Sequence, residues 1–183
     1  MPRVSRRGRS GPRATIVGIV SDTHGLLRPE ALAALAGVDL IVHAGDIGSP
    51  AVLERLRELA PVVAVRGNND RERWAAPLPE VVVTDVGGVR LCVVHDLKEL
   101  RRDPAREGIR VVISGHSHQP SIARRERLLL LNPGSAGPRR FTLPVTVARL
   151  RVAASGVRAE IVHLVPVGAQ RSAGETRAPS PQT

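Results

Sequence analysis

Short aliphatic runs alternate with polar turns along this chain. Residues 15–20 (T-I-V-G-I-V), 40–44 (L-I-V-H-A), 62–65 (V-V-A-V), 91–94 (L-C-V-V) and 111–113 (V-V-I) are rich in β-branched residues. They are too short for helices and read as buried strands. Between the first three the period changes. Pro29 suits the first position of a helix whose apolar face holds Leu32 and Leu35 and which Gly37 ends. Ser49 followed by Pro50 is an N-cap and a first-turn proline. Val52, Leu53, Leu56 and Leu59 then form one stripe, with Glu54, Arg55, Arg57 and Glu58 on the far side. The predicted order to residue 65 is β-α-β-α-β, with connections of the length that parallel pairing requires.

The rhythm then shifts. Residues 81–84 and 89–94 flank Gly87-Gly88, a hairpin signal that predicts a switch to antiparallel pairing. Asp103-Pro104 predicts a short helix before the Val111 strand. Residues 122–125 with 128–131, and 145–152 with 157–165, read as two more hairpins. No repeat or linker divides this span. One domain is expected over 15–166, between a disordered basic arm (1–14) and a disordered tail rich in Gly, Ser and Pro (167–183).

Composition narrows the setting. A chain of 183 residues can bury roughly 70% of its unfolded surface in one domain. Trp74 and Phe141 are its only aromatics, so the core is aliphatic. Cys92 is the single cysteine, which rules out an intrachain disulfide and favours a reducing, cytoplasmic setting. Inside L-C-V-V it reads as a small buried hydrophobe rather than a nucleophile. No apolar segment approaches the ~20 residues of a membrane span, and the first fifteen residues lack the apolar core of a secretory signal. No membrane partner is expected. The net charge of +10 invites a nucleic-acid reading, but five of the arginines lie in the first thirteen residues. Lysine occurs once, at Lys98, and two aromatics offer little for stacking unpaired bases. Nucleic acid is therefore disfavoured as a partner.

The residues just after each run carry the chemistry. The five runs lead into Asp22-Thr23-His24, Gly45-Asp46, Gly67-Asn68-Asn69-Asp70, His95-Asp96 and Gly115-His116-Ser117-His118. A lone H-x-H is usually two surface histidines in a turn; five such blocks, each after a strand, are not bland. Asp22, His24, Asp46, Asn68, His95, His116 and His118 combine imidazole nitrogen with hard oxygen and no thiolate. Such a set suits catalytic divalent ions better than a structural zinc. It is too large for one tetrahedral ion and right for two that share a carboxylate. Two-metal sites hold their ions ~3.5–4 Å apart and clamp the attacking and leaving oxygens of an in-line displacement. Open α/β sheets bind ligands beyond the carboxyl ends of their strands, where all five blocks fall.

The ordered blocks D-x-H, G-D, G-N-x-D, H and G-H-x-H resemble the calcineurin-like metallophosphoesterases. V-S-D-T-H-G near the start and N-P-G-S near the end resemble the small bacterial and archaeal phosphodiesterase branch, to which the smallest retromer subunit also belongs. The resemblance covers about residues 16–165. It implies an α/β fold of two packed mixed β-sheets flanked by helices. It assigns Asp22, His24 and His118 to one ion and Asn68, His95 and His116 to the other, with Asp46 bridging. It further implies a metal-bridging hydroxide as nucleophile, with the Asn68 amide also on the phosphate. The expected function is thus a dinuclear metal-dependent phosphoesterase, in particular a phosphodiesterase cleaving P–O bonds of a small diester. Manganese is the first choice of ion, with Fe, Zn, Ni or Mg as alternatives.

A non-catalytic scaffold on the same fold and a nuclease are the competing expectations. The first predicts lost ligands, and here every position is filled. Relatives of the second kind usually carry extra capping domains, for which this chain is too short. A homo-oligomer is left open. Asn69 stands where many larger relatives have histidine and this branch often has cysteine. Asp96 stands where glycine is more usual; it could crowd the metals, tune His95, or face solvent. Asp70 is expected to orient the Asn68 turn. His43 is expected to be either a satisfied core histidine or a donor to a ligand carboxylate, and Arg66 either a phosphate contact or a solvated arginine. Asn132-Pro133-Gly134-Ser135 is locally only a turn, which the resemblance sets beside the site.

Overall fold

Residues 13–164 are described by the computed structural model. The arm through residue 12 and the tail from 167 therefore lie outside the described residues. Between them run β1 (Thr15–Val20), α1 (Pro29–Leu35), β2 (Leu40–His43), α2 (Pro50–Arg57), β3 (Val62–Ala64), β4 (Val81–Val86) and β5 (Val89–Val94). After these come β6 (Val111–Ile113), β7 (Ser121–Arg125), β8 (Leu128–Asn132), β9 (Thr146–Ala153) and β10 (Gly156–His163). The strands form two five-stranded mixed sheets, ordered β10-β9-β1-β2-β3 and β4-β5-β6-β8-β7. β1, β2 and β3 are parallel in the first, and β5, β6 and β8 in the second.

The sheets pack face to face. Val17, Ile19, Val42 and Leu150 of one meet Leu91, Val93, Val111, Ile113 and Leu131 of the other, all essentially inaccessible. Alternate residues of the same strands point outward, yet Val20, Ile41 and Val147 are buried too, beneath Leu35 of α1 and Val52, Leu53 and Leu56 of α2. Burial on both faces is why these strands are apolar at consecutive positions.

The sequence expectations need three corrections. The Gly87-Gly88 hairpin does not extend the first sheet in the antiparallel sense; it opens the second. The expected fold of two packed mixed sheets flanked by helices holds, and among the described residues α1 and α2 lie over one outer face. Cys92, Val94 and Val112 on the other are covered by Leu100 and Ile109 of the segment between β5 and β6. Leu59 leaves the α2 stripe: the helix stops at Arg57 and Leu59 is 38% exposed. Pro61 disfavours helical backbone at the residue before it and can donate no N–H to continue the ladder. Asp103 caps a turn, accepting from Ala105 and Arg106 N–H, but no helix comes after it. Among the described residues no helix is long and apolar enough to cross a membrane.

Candidate metal centre

The carboxyl ends of β1, β2 and β3 in one sheet and of β5, β6 and β8 in the other meet along one edge of the sandwich. Each chain segment leaves its strand sharply. Seven non-glycine residues among those described have positive φ, and five are candidate ligands: Asp22 (55°), His24 (47°), Asp46 (55°), His116 (67°) and His118 (57°). Such backbone is costly for residues with a Cβ and persists where the surroundings fix it. The backbone bonds Asp22 N to Gly45 O (3.0 Å) and His24 N to Asp46 O (3.0 Å) tie the β1 turn to the β2 turn. Asp70 extends the lattice, accepting from Gly67 N (2.9 Å), Ile47 N (3.1 Å) and Gly48 N (2.8 Å). A Cβ at Gly67 would collide with the Asp46 backbone and carboxylate, and one at Gly115 with Ser21 and Asp22. Gly45 and Gly48 are equally tight, against the His95 ring and the His24 backbone, so the close approach of the strand ends depends on several positions without side chains.

The predicted residues converge. Asp22, His24 and His118 form one compact donor set and Asp22, Asp46 and His95 another. Asp46 also faces both sides, with Oδ1 3.4 Å from His95 Nε2 and Oδ2 3.9 Å from His24 Nε2. Asn68 Oδ1 lies 3.1 Å from His95 Nε2 and 3.1 Å from His116 Nδ1. His118 Nε2 is 3.3 Å from Asp22 Oδ1, and Asp22 Oδ2 accepts from His116 N–H at 3.1 Å.

Two features test whether this set fits cations. Asp22 Oδ1 and His118 Nδ1 are buried without a hydrogen-bond partner, and native proteins rarely leave such atoms unsatisfied without a reason. Secondly, His95 Nδ1 lies 2.7 Å from Ala44 O, a contact that requires the N–H. In the neutral ring the Nε2 lone pair then points at Asp46 Oδ1 and Asn68 Oδ1, so three acceptors converge on one point. A proton or a metal ion satisfies that arrangement, and a backbone carbonyl on the second nitrogen is the usual orientation of a metal-binding histidine. The residues fit divalent ions.

Electrostatics agree. Burial opposes charge on His95, but Asp46 and the Ala44 carbonyl outweigh it and raise its pKa. Burial likewise works against the Asp46 carboxylate, yet His95 and the Asn69 donors hold it well below the usual range. Asp22 is raised, chiefly by burial. His118 falls to about 4 through burial and the nearby Arg140, so its ring is neutral at physiological pH.

The surrounding residues sort themselves by contact. Asn69 donates to Asp46 twice, from its backbone N–H (2.9 Å) and from its amide (2.5 Å). Asp96 Oδ1 accepts from Lys98 N–H (2.9 Å), capping a short 3₁₀ turn, while its Oδ2 stands 3.6 Å from His116 Nε2. Its side chain is partly exposed. His43 makes no bond to a ligand carboxylate. Its Nδ1 accepts from Gly45 N–H (3.2 Å), so its Nε2 donates to Thr23 Oγ1 (2.9 Å), and burial drops its pKa to about 3. Arg66 pairs with Glu80 at 2.5 Å. The N-P-G-S turn braces the site: Asn132 donates to Gly115 O (2.6 Å) and Ser135 to Asp22 O (3.0 Å). One neighbour escaped the sequence reading. Arg140 Nη2 lies 3.4 Å from His24 Nε2, 116 residues away in the chain, and no local pattern marks it.

A model of the calcineurin-like phosphoesterase superfamily domain matches residues 16–155. A protein of Methanothermobacter thermautotrophicus named "Probable metallophosphoesterase" is 39% identical over 160 residues, covering 81% of this chain and 92% of that one. A structure described as a novel archaeal phosphodiesterase superposes with a TM-score of 0.68 at 24% identity, over 81% of this chain and all of the other. Vacuolar Protein Sorting 29 of Cryptosporidium parvum superposes at 0.65 with 17% identity, over 81% and 97% of the two chains. At these identities the two structures speak for the fold alone.

Proposed function

The chain belongs to the calcineurin-like phosphoesterase superfamily, and from that premise we propose that it is a phosphodiesterase that hydrolyses P–O bonds with two divalent ions. The reading rests on one observation: the oxygens of Asp46 face different imidazoles, His95 and His24, so a single carboxylate can serve both halves of the site. Asp22, His24 and His118 hold one ion; Asn68, His95 and His116 hold the other. Bound divalent ions supply the Lewis acidity that polarises phosphoryl oxygens and brings the pKa of water towards ~7.

The protein's own groups do the rest. Ala44 O fixes the His95 tautomer, and the two Asn69 donors set the angle of the Asp46 carboxylate. The Asn68 oxygen is turned towards two rings, which leaves its amide N–H for a phosphoryl oxygen. Asp70 keeps that turn closed. No side-chain base is needed.

Metal content and turnover test the reading together. The purified chain loaded with Mn²⁺ is expected to carry about two ions and to hydrolyse bis(p-nitrophenyl) phosphate faster than p-nitrophenyl phosphate, with activity lost to chelators. One tightly held ion, or a preference for the monoester, would overturn it.

A further inference from the structure

We propose that residues 138–143 form a substrate-recognition loop, in which Arg140 contacts a phosphoryl oxygen and Phe141 stacks on an aromatic group of the ester. This rests on the phosphodiesterase reading and adds a substrate class, esters that carry a nucleobase or another planar ring. Arg140 is exposed, yet its guanidinium reaches the candidate ligand His24 at 3.4 Å and meets no carboxylate among the described ion pairs. A guanidinium offers paired donors that match phosphate oxygens.

Phe141, the next residue, is the chain's single phenylalanine and is 94% exposed. Its φ of 51° is strained backbone for a bulky side chain. Neither packing nor conformation within the fold explains an aromatic there. The only other aromatic, Trp74, is half-buried and packs into the core beneath the helices.

The loop is held at both ends by the scaffold of the site itself. Arg28 donates from Nε and Nη2 to Gly137 O (3.2 Å each), Leu143 N–H closes a turn on Arg140 O (3.1 Å), and Val145 bridges to Ser135. Ser135 in turn bonds the Asp22 carbonyl. The backbone that carries the exposed ring is thereby anchored one residue from a guanidinium that reaches His24.

Steady-state kinetics of the full chain with Mn²⁺ test this. Stacking on an aromatic side chain is expected to make Phe141→Ala raise KM for bis(p-nitrophenyl) phosphate about tenfold, with kcat little changed. Inhibition by inorganic phosphate, which has no ring, should stay as in wild type. Phe141→Trp should restore KM. Arg140→Gln should weaken both the diester and inorganic phosphate about tenfold, with partial recovery in Arg140→Lys. An unchanged KM in Phe141→Ala, or a loss that tryptophan does not repair, overturns the stacking role. If wild type turns over no diester, the phosphodiesterase reading fails, and calorimetric binding of phenyl phosphate decides the loop separately. Equal affinity in wild type and Phe141→Ala would then overturn it.

Discussion

The half of the site built on Asp22, His24 and His118 and the half built on Asn68, His95 and His116 treat their polar atoms differently. In the first, all three residues sit on left-handed backbone, and Asp22 Oδ1 and His118 Nδ1 are buried without partners. Burial pushes both groups towards their neutral forms. In the second, only His116 has positive φ, and Asn68 Oδ1 lies within hydrogen-bond distance of two rings. His95 is anchored on Ala44 O, and its raised pKa lets a proton neutralise the acceptors around it. The second half can satisfy itself; the first cannot. An orphaned buried polar atom costs ~1–3 kcal/mol, so the first half is where the fold gives up stability for a site. Asp46 belongs to both.

Asp46 is therefore where the comparison breaks most severely. Asp46→Asn keeps the size but removes the charge that both halves face. Under the two-ion proposal its kcat/KM on an activated diester is expected to fall on the order of 10³-fold, since each ion would contribute several kcal/mol of charge stabilisation. His118→Ala, which touches one half, should cost less. Kinetics at saturating Mn²⁺ separate the two, and full activity in Asp46→Asn would end the shared-carboxylate account.

Asn69 comes next. Because its two donors orient Asp46 rather than meet a leaving group, Asn69→Ala should lower metal affinity or activity by ~10–100-fold, as loss of a supporting hydrogen bond to a ligand typically does. Titration of Mn²⁺ against activity checks this. A variant indistinguishable from wild type would mean that the backbone N–H alone sets the carboxylate.

How much of this was legible tracks the same division. The strand runs and the seven candidate donors could be read because buried strands and metal-binding chemistry each restrict residue type. That the β4–β5 hairpin starts a new sheet was not written locally, since a Gly-Gly turn encodes pairing within a hairpin and nothing about its neighbours. Nor was the role of Asn69. An amide beside a ligand reads as the absence of an acid until the distance to Asp46 is known. Arg140 was hidden for another reason: it lies in a loop, without periodicity, and meets His24 only through the fold.

His43 lies behind both halves and extends the comparison to a buried ring that is fully satisfied. Its pKa is about 3 in the fold against an ordinary 6.5, so the unfolded chain binds its proton first. The stabilisation from the neutral ring is complete above pH 6.5 and is lost as pH falls towards about 3. His43→Asn should destabilise the metal-free protein by ~1–3 kcal/mol at pH 7.5 and flatten the loss of stability below pH 6.5. Urea unfolding at several pH values measures both. Parallel curves for variant and wild type would show that another group titrates there.

Asp22→Asn should act in the opposite direction. The Asn oxygen can still accept from His116 N–H, while its NH₂ would face His118 Nε2, now 3.3 Å from Asp22 Oδ1. An uncompensated carboxylate thus becomes a hydrogen-bonded amide. The metal-free variant is expected to gain about 1 kcal/mol, or ~2–4 °C in Tm, while losing Mn²⁺ binding. A fall in Tm would mean that the first half is better satisfied than its geometry indicates.

The smallest effect is expected from the basic arm, and it is a control on the whole comparison. If both halves are set by strand ends, a segment that supplies none of them should matter to neither. Deleting residues 1–13 removes five arginines and no candidate ligand. The one bond lost among the described residues is Arg13 to Asp39 (2.6 Å), between an exposed guanidinium and a carboxylate that also accepts from Ile16 N–H (2.7 Å). Exposed pairs of this kind contribute ~0–1 kcal/mol, and the Ile16 bond survives the deletion. Stability should therefore drop by less than about 1 kcal/mol, and turnover of a small diester should stay near wild type. A parallel deletion of residues 1–12 retains Arg13 and isolates that pair; thermal unfolding of the two truncations should differ by no more than its contribution. A collapse of turnover in both would mean that the arm lies over the metal centre and that its strand-end geometry is not self-sufficient.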